Sequence, residues 1–303
     1  MHFPILMIHS EPMKAATSAR STYPKISIVT PSYNQGQFLE QTIRSILDQG
    51  YPNLEYIIID GGSTDDSKKI IKKYAPQLKY WVSERDQGQA DAINKGFSHA
   101  TGEIMGWLNS DDILMPGSLH LIAKIFGELP QVDWISSTTQ TITQHGHVHH
   151  LGLRPVFFQK LIAAGWYHGL GLGFLMQEGT FWRRSLWEKI GAKVNQLHYG
   201  MDFELWKRFA EHTAPLAVHV PLAAFRLNPQ RKSKAIQQYY QEIGVQLPLF
   251  FTYLSKGLRL GLQLPRKLRL TQQLYYDLGT ERWQYTPDIF SRLTGKDQPK
   301  SFE

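Results

Sequence analysis

The stretch richest in reactive groups is Gly106-Trp107-Leu108-Asn109-Ser110-Asp111-Asp112-Ile113-Leu114. An apolar run from Ile104 to Leu108 reads as a short buried strand. It ends in a polar, acidic cluster, with Pro116 and Gly117 just beyond. Carboxylates at the C-terminal end of a buried strand lie where open α/β sheets keep their ligands. Asp111 and Asp112 are adjacent, so their mutual repulsion favours a cation beside them. A hard cation with oxygen ligands, Mg²⁺ or Mn²⁺, takes one or two carboxylates plus substrate phosphates. Taken alone, the same residues also suit a solvated turn that caps the helix after Pro116. A second acidic group, Met201-Asp202-Phe203-Glu204, opens a run with helical spacing, and by itself Asp202 reads as a cap. His145, His147, His149 and His150 flank Gly146. Hairpin alternation puts three of them on one face, but no carboxylate orients them, so a solvated hairpin is expected rather than a metal site.

The elements that position these groups follow a rhythm. Lys25 to Thr30 is a strand expected to stop at Pro31, and Phe38 to Leu47 has helical spacing. Leu54 to Ile59 is a second strand, followed by a helix from Asp66 to Tyr74 capped by Thr64 or Asp65. Leu78 to Val82 is a third strand, Gln89 to Ala100 a helix, and Glu103 to Leu108 a fourth strand. Such repeats predict a parallel sheet covered on both faces, an α/β fold. Right-handed crossovers then bring the loops Pro31–Gln35, Asp60–Asp65, Glu84–Gly88 and Asn109–Asp112 to one edge. Later segments predict a strand at Val132–Ser136, a hairpin over Thr138–Leu151, a strand at Gln177–Trp182, a helix at Phe203–Ala210 and further strand at Val218–Arg226. Residues 1–23 read as a loose arm, and 231–303 as a basic, mainly helical extension.

Several motifs in this order resemble glycosyltransferase family 2, inverting enzymes with the GT-A fold, and most closely bacterial members that build surface polysaccharides. They are Pro31-Ser32-Tyr33-Asn34, Asp60-Gly61-Gly62-Ser63-Thr64-Asp65, Asp86-Gln87-Gly88 with Asp91 to Gly96, Thr101-Gly102-Glu103 and Asn109-Ser110-Asp111-Asp112. The resemblance covers roughly residues 25–230 and implies a GT-A domain over 24–230, with a nucleotide-binding half (24–115) and an acceptor half (116–230). It implies that Pro31, Tyr33, Asn34, Asp60, Gly61 and Asp86 hold the nucleotide, with Asn109 and Ser110 beside it. Lys95 would reach a phosphate or pin its loop. Asn109-Ser110-Asp111 fills the family's Asp-x-Asp slot with Asn in the first place, so Asp111, with Asp112 as neighbour, is the implied metal ligand. Asp202 aligns with the catalytic base, Met201 replacing the customary Glu; Glu204 and Glu178 are reserves. Gln177, Glu178 and Trp182 lie in the acceptor-side strand. Asn228 stands near the place of a His that completes metal coordination in some relatives. Metal binding is therefore expected to be weak and to depend on the diphosphate. Arg231 and Lys232 would share the diphosphate charge.

The 303-residue chain carries a formal charge of +7 and no cysteine. That excludes disulfides, thiolate metal sites and a cysteine nucleophile, and it favours anionic partners. The expected partners are a nucleotide-sugar donor, UDP-linked, and a glycan or lipid-linked acceptor. From Arg226 to Leu270 basic residues alternate with leucines and phenylalanines, and Glu242 is the only acid. Such a segment suits an anionic bilayer surface. A cytoplasmic protein peripheral to the inner face of the plasma membrane is expected. No apolar run is long enough to span a bilayer. Nucleic-acid binding is disfavoured, because the basic residues lack interleaved stacking platforms. A sugar-nucleotide nucleotidyltransferase would want a basic, Gly-rich loop after the first strand, and Pro31 to Gly36 has no Lys or Arg. A non-catalytic nucleotide-sugar-binding or membrane-scaffold protein with a decayed site is the other rival, prompted by Asn109, Met201 and Asn228.

Overall fold

The computed structural model describes residues 23–138, 140–152, 155–229, 231–245, 273–277, 282–286 and 300–302. The alternating half is built as its periodicity predicts: β1 (Ile26–Ser32), α1 (Gly36–Leu47), β2 (Leu54–Asp60), α2 (Ser67–Tyr74), β3 (Tyr80–Ser83), α3 (Gln89–Ser98) and β4 (Ile104–Trp107). β1 pairs in parallel with both β2 and β4, and β2 with β3. Successive side chains of β2 point to opposite faces, and both faces are covered. Tyr56 and Ile58 join one apolar cluster, with Leu39 and Ile43 of α1 and Ile71 of α2. Ile57 and Ile59 join another, with Ile93 and Phe97 of α3. Gly96 is where α3 meets the sheet: a Cβ there would lie 2.4 Å from Val29 Cγ1.

One boundary differs from expectation. β1 runs through Pro31 to Ser32, in register with Ile59 and Asp60. The Val29 carbonyl accepts from Leu108, and the Ser32 carbonyl accepts from Gly61. Alternation therefore turns the nitrogen of Pro31 toward β4, past that strand's end, where a missing N–H breaks no ladder bond.

The second half adds β5 (Ile113–Leu114), α4 (Ser118–Glu128), β6 (Trp134–Ser137), β7 (Gln140–Thr143), β8 (Val148–Leu151), α5 (Gln159–Ala163), β9 (Thr180–Arg183), α6 (Arg184–Lys189), α7 (Met201–His212), β10 (Leu216–Val218), β11 (Ala223–Leu227) and α8 (Ile236–Glu242). Then come β12 (Gln273–Asp277), β13 (Arg282–Thr286) and β14 (Lys300–Phe302). The main sheet has the order β14-β13-β12-β10-β6-β9-β4-β1-β2-β3, and a small sheet the order β5-β11-β7-β8. β9 is antiparallel to both β4 and β6, so it joins the parallel half to the rest of the sheet. The expected mostly parallel α/β sheet is present.

Among the described residues, the tail departs from its expected mainly helical character. α8 is a helix, but every described residue beyond Val245 lies in a strand. Aromatic and β-branched-rich runs such as Leu274-Tyr275-Tyr276 pair readily once a sheet edge is available, and β10 offers that edge to β12. The basic apolar segment from residue 246 to 272 lies outside the described residues. Among the described residues, no helix is long and apolar enough to cross a membrane.

Candidate functional site

The four strand-end loops do meet at one sheet edge, and their contacts are specific. Asp60 is fully buried. It accepts hydrogen bonds from the Ser63 amide (3.0 Å), the Ser63 hydroxyl (2.5 Å) and the Ser83 hydroxyl (2.7 Å). Its carboxylate therefore shapes this loop. Asn34, with φ at 52°, donates its amide to Ser63 Oγ and accepts from the Thr64 amide through Oδ1. Asp65 accepts from the amides of Gly36 and Ser67, tying the first turns of α1 and α2 together. A Cβ on Gly61 would lie 2.7 Å from Asp86 Oδ2, so that glycine is what lets the Asp86 loop close over the Asp60 loop. Tyr33, beside this loop, is 62 % exposed, and Pro31 is buried. Lys95 forms an ion pair with Glu84 (2.6 Å) on the neighbouring loop.

The acidic cluster after β4 divides into unlike halves. Asp112 is fully buried; its Oδ1 accepts the Arg226 backbone amide (2.8 Å) and its Oδ2 the Asn109 side-chain amide (3.3 Å). Expected as a metal ligand, it is instead a structural carboxylate joining the loop to β11, because protein donors hold both of its oxygens. Ser110 is likewise buried, its carbonyl accepting from Thr42 Oγ1. Asp111 faces the other way. Its Oδ2 accepts from Asn228 Nδ2 (2.5 Å), and burial raises its pKa against the lowering pull of Arg226 and Asn228. Arg226 was not singled out by its sequence context, yet it organises this region. Fully buried, it donates to the carbonyls of Asp111 and Gln144 and to Gln41 Oε1, and its guanidinium lies over Phe38.

Asn109 opens onto the cleft. Its Oδ1 accepts from Gln89 Nε2 (2.8 Å), and Gln89 Oε1 accepts from Lys232 Nζ (3.1 Å). Lys232 also donates to the His198 carbonyl (3.3 Å). Its pKa is lowered by burial, against the raising pull of Glu242 and Asp86. Arg231 bends back to the Asn228 carbonyl (2.9 Å). Lys232 is thus held by neutral groups within reach of the charges of Glu242 and Asp86.

On the acceptor side, Glu178 lies in a 3-10 turn, Gln177–Gly179, just before β9. It is buried, and its pKa is pushed up to about 8 by burial first and by the charges of Asp202 and Asp111 next. Asp202 lies in the first turn of α7. Its Oδ1 accepts the Phe203 amide (2.8 Å), and among the described residues no protein donor claims Oδ2. Burial raises its pKa to about 6. Asp111, Glu178 and Asp202, from three separate stretches of chain, therefore share one electrostatic neighbourhood. Gln177 donates to the Trp107 carbonyl from a buried position (2.5 Å). Trp182, expected to face an acceptor, is fully buried among Trp107, Trp206 and Phe209. It is core, because the strand that carries it is central in the sheet. The histidine-bearing hairpin is present, and β8 is exposed along its length.

The donor set for a cation is Asp111 with two amide side chains, Asn109 and Asn228. No group of three or more His, Cys, Asp or Glu residues able to hold a metal ion occurs among the described residues. One carboxylate with neutral oxygens fits a Mg²⁺ or Mn²⁺ ion whose remaining ligands come from a diphosphate and water.

Comparison with known proteins bears on the family and the fold. A sequence model described as Glycosyl transferase family 2 matches residues 27–189. The uncharacterized glycosyltransferase Rv1514c of Mycobacterium tuberculosis is 40% identical over 205 residues, covering 67% of this chain and 75% of that protein. Other curated relatives are matched over as little as 34% of their own length. Among solved structures, S. aureus TarS 1–349 in complex with UDP-GlcNAc superposes with a TM-score of 0.56 at 16% identity, over 72% of this chain and 64% of that one. The mannosyltransferase PcManGT of Pyrobaculum calidifontis, in complex with GDP-Man and Mn²⁺, gives 0.52 at 18% identity, over 82% and 72%. Both likenesses show a shared fold, that of GT-A glycosyltransferases. On the extent of the sequence match and the fold together, the chain belongs to glycosyl transferase family 2.

Proposed function

We propose that the protein transfers one sugar, with inversion, from a UDP-linked donor to a hydroxyl of a glycan or lipid-linked glycan in surface-polysaccharide synthesis. The observation that carries this reading is the grouping of Asp111, Glu178 and Asp202, with Asn109, Gln89 and Lys232 linking the Asp111 loop toward Asp86. The nucleotide would rest on Pro31, Tyr33 and Asn34, over the loop that Asp60 and Gly61 shape, with Asp86 at its side. Asp111, Asn109 and Asn228 would hold a divalent ion against the diphosphate, where it offsets charge on the departing nucleotide. Lys232 would add its positive charge there. Asp202 takes the proton from the acceptor hydroxyl as that oxygen bonds to the anomeric carbon, and the nucleoside diphosphate leaves with the electron pair of the broken bond. One displacement with no covalent intermediate inverts the anomeric centre. Glu178, protonated at neutral pH by its raised pKa, leaves Asp202 the ionised member of the pair.

The UDP-GlcNAc named for TarS and the GDP-Man and Mn²⁺ named for PcManGT support a nucleotide-sugar and a divalent ion as the ligands to test first. The basic segment 246–272 would bring the protein to an anionic membrane carrying a lipid-linked acceptor. The experiment is a screen of UDP- and GDP-sugars for donor hydrolysis and thermal stabilisation, with and without Mn²⁺, followed by Asp202→Asn with the best donor. Turnover should fall by about 10²–10⁴-fold while nucleotide binding persists. Retention of turnover in Asp202→Asn would remove the assignment of the base, and stabilisation by no nucleotide would favour a decayed site.

A further inference from the structure

Glu242 is the lone acid in a long basic stretch, and the reaction described above gives it no task. Its surroundings are unusually explicit. It lies at the end of α8, and its Oε1 accepts the His198 amide (2.6 Å) while its Oε2 accepts the amides of Tyr199 and Gly200 (both 2.7 Å). These three consecutive N–H groups lead directly into α7, and Gly200 is the residue that caps it. Such groups have no partner within the helix they precede, and a buried amide left unpaired is costly. The same connection is fixed further back: Asn94 of α3 exchanges two hydrogen bonds with Val194, each 2.8 Å. Arg208 donates to the carbonyls of Ile190 and Lys193. The segment 191–200 is thus held at its start by α3 and α7 and at its end by the Glu242 carboxylate. The approach is also close, since a Cβ on Gly200 would lie 2.3 Å from Ile243 Cγ2. α8 reaches the base by a second contact: Tyr239, one turn before Glu242, packs against Phe203, and the charge of Asp202 helps burial raise the Tyr239 pKa.

We propose that Glu242 is the positioning residue for Asp202, fixing the turn into α7 so that the carboxylate stays seated and dry. This rests on Asp202 being the base. It makes α8 a working part of the acceptor site, although it lies past the last motif the sequence shares with its family. The charged groups facing Glu242 are His198 and Lys232. Those facing Asp202 are Glu178 and Tyr239. None of these belongs to α8's own charge pattern except Tyr239, so removing the Glu242 carboxylate leaves the other partners in place.

The test uses the full chain with Glu242→Gln, which keeps the shape, and Glu242→Ala, which removes the group from a short helix. Hydrogen exchange of the peptide covering residues 198–205 should quicken by about tenfold or more in both variants, with the remainder of the chain unchanged. In protein with ¹³C-labelled aspartate carboxyls, the Asp202 resonance, assigned with Asp202→Asn, should titrate lower than in the wild type. The raised pKa comes from burial, and a loosened turn lets water in. Wild-type exchange at 198–205 in both variants would overturn the proposal. An unchanged Asp202 titration would also overturn it, because Glu242 would then support the turn without acting on the base. Faster exchange across the whole chain would overturn it as well, making Glu242 a general stability element. The underlying assignment fails separately: if Asp202→Asn retains turnover in the donor assay, Asp202 is not the base, whatever the Glu242 variants show.

Discussion

Asp202 and Glu178 are both carboxyls pushed upward by burial, yet they end at different protonation states near neutral pH. Glu178, at about 8, carries its proton, while Asp202, at about 6, has lost it. Turnover should therefore rise with pH along a limb centred near 6, and Asp202→Asn should abolish that limb with the activity; a rate profile against pH checks it. Glu55 is the opposite case. Burial pushes its pKa up, but hydrogen bonds from Thr101 and Ser27 outweigh that and hold it at about 2. A depressed carboxyl stabilises the fold above its ordinary pKa and loses that contribution as pH falls toward the folded value. Glu55→Gln should cost about 2–3 kcal/mol at pH 7. In denaturant melts, the gap to the wild type should close between about pH 4.5 and 2.

At the scale of elements, β11 carries the residues that finish the cleft. Arg226 and Asn228 reach back to Asp112 and Asp111, so the register of β11 against β7 sets where the proposed cation site would lie. In the proposed cation site Asn228 would be a neutral ligand beside a single carboxylate. Replacing it with an imidazole, Asn228→His, should tighten Mn²⁺ binding in the presence of UDP by about tenfold, read from the Mn²⁺ dependence of thermal stabilisation. Lys232 is tethered to Gln89 and the His198 carbonyl, both neutral. Lys232→Ala should weaken UDP binding, with a smaller effect on uridine, and isothermal titration with both ligands separates the diphosphate contribution. β9 behaves differently. Its Trp182 sits in a cluster of stacked and edge-on indoles, so Trp182→Ala should cost about 3–5 kcal/mol of stability by chemical denaturation rather than shift acceptor affinity.

In the whole molecule, the parallel half is joined through antiparallel β9 to the second half, and the cleft proposed for catalysis would run across the join. The main sheet continues past that cleft into β10, β12, β13 and β14, so part of the basic tail is sheet rather than an appendage. The apolar-basic segment between α8 and β12 is bracketed by these two anchors. Charge reversal at Lys256, Arg259, Arg266, Lys267 and Arg269 should abolish co-sedimentation with vesicles rich in anionic lipid and leave donor hydrolysis unchanged; wild-type binding should fall as salt rises.

The amino-acid sequence alone determined the alternating α/β half, because buried parallel strands read as unbroken apolar runs and their helices as amphipathic ones. It also marked the strand-end loops, because Asp, Asn, Ser and Gly cluster where the chain leaves the sheet. Only the tertiary structure decided what each polar residue does. Asp111 and Asp112 are neighbours of one type, yet one opens on the cleft and the other is locked to Arg226, a contact 114 residues away in the chain. Pro31 looks like a strand end until the sheet shows which way its nitrogen points. Glu242 looks like a stray acid until α8 folds against three amides 42–44 residues earlier. Local propensity and periodicity are written along the chain, but the partner that satisfies a buried carboxylate or an orphan amide comes from a distant segment. Packing alone supplies it.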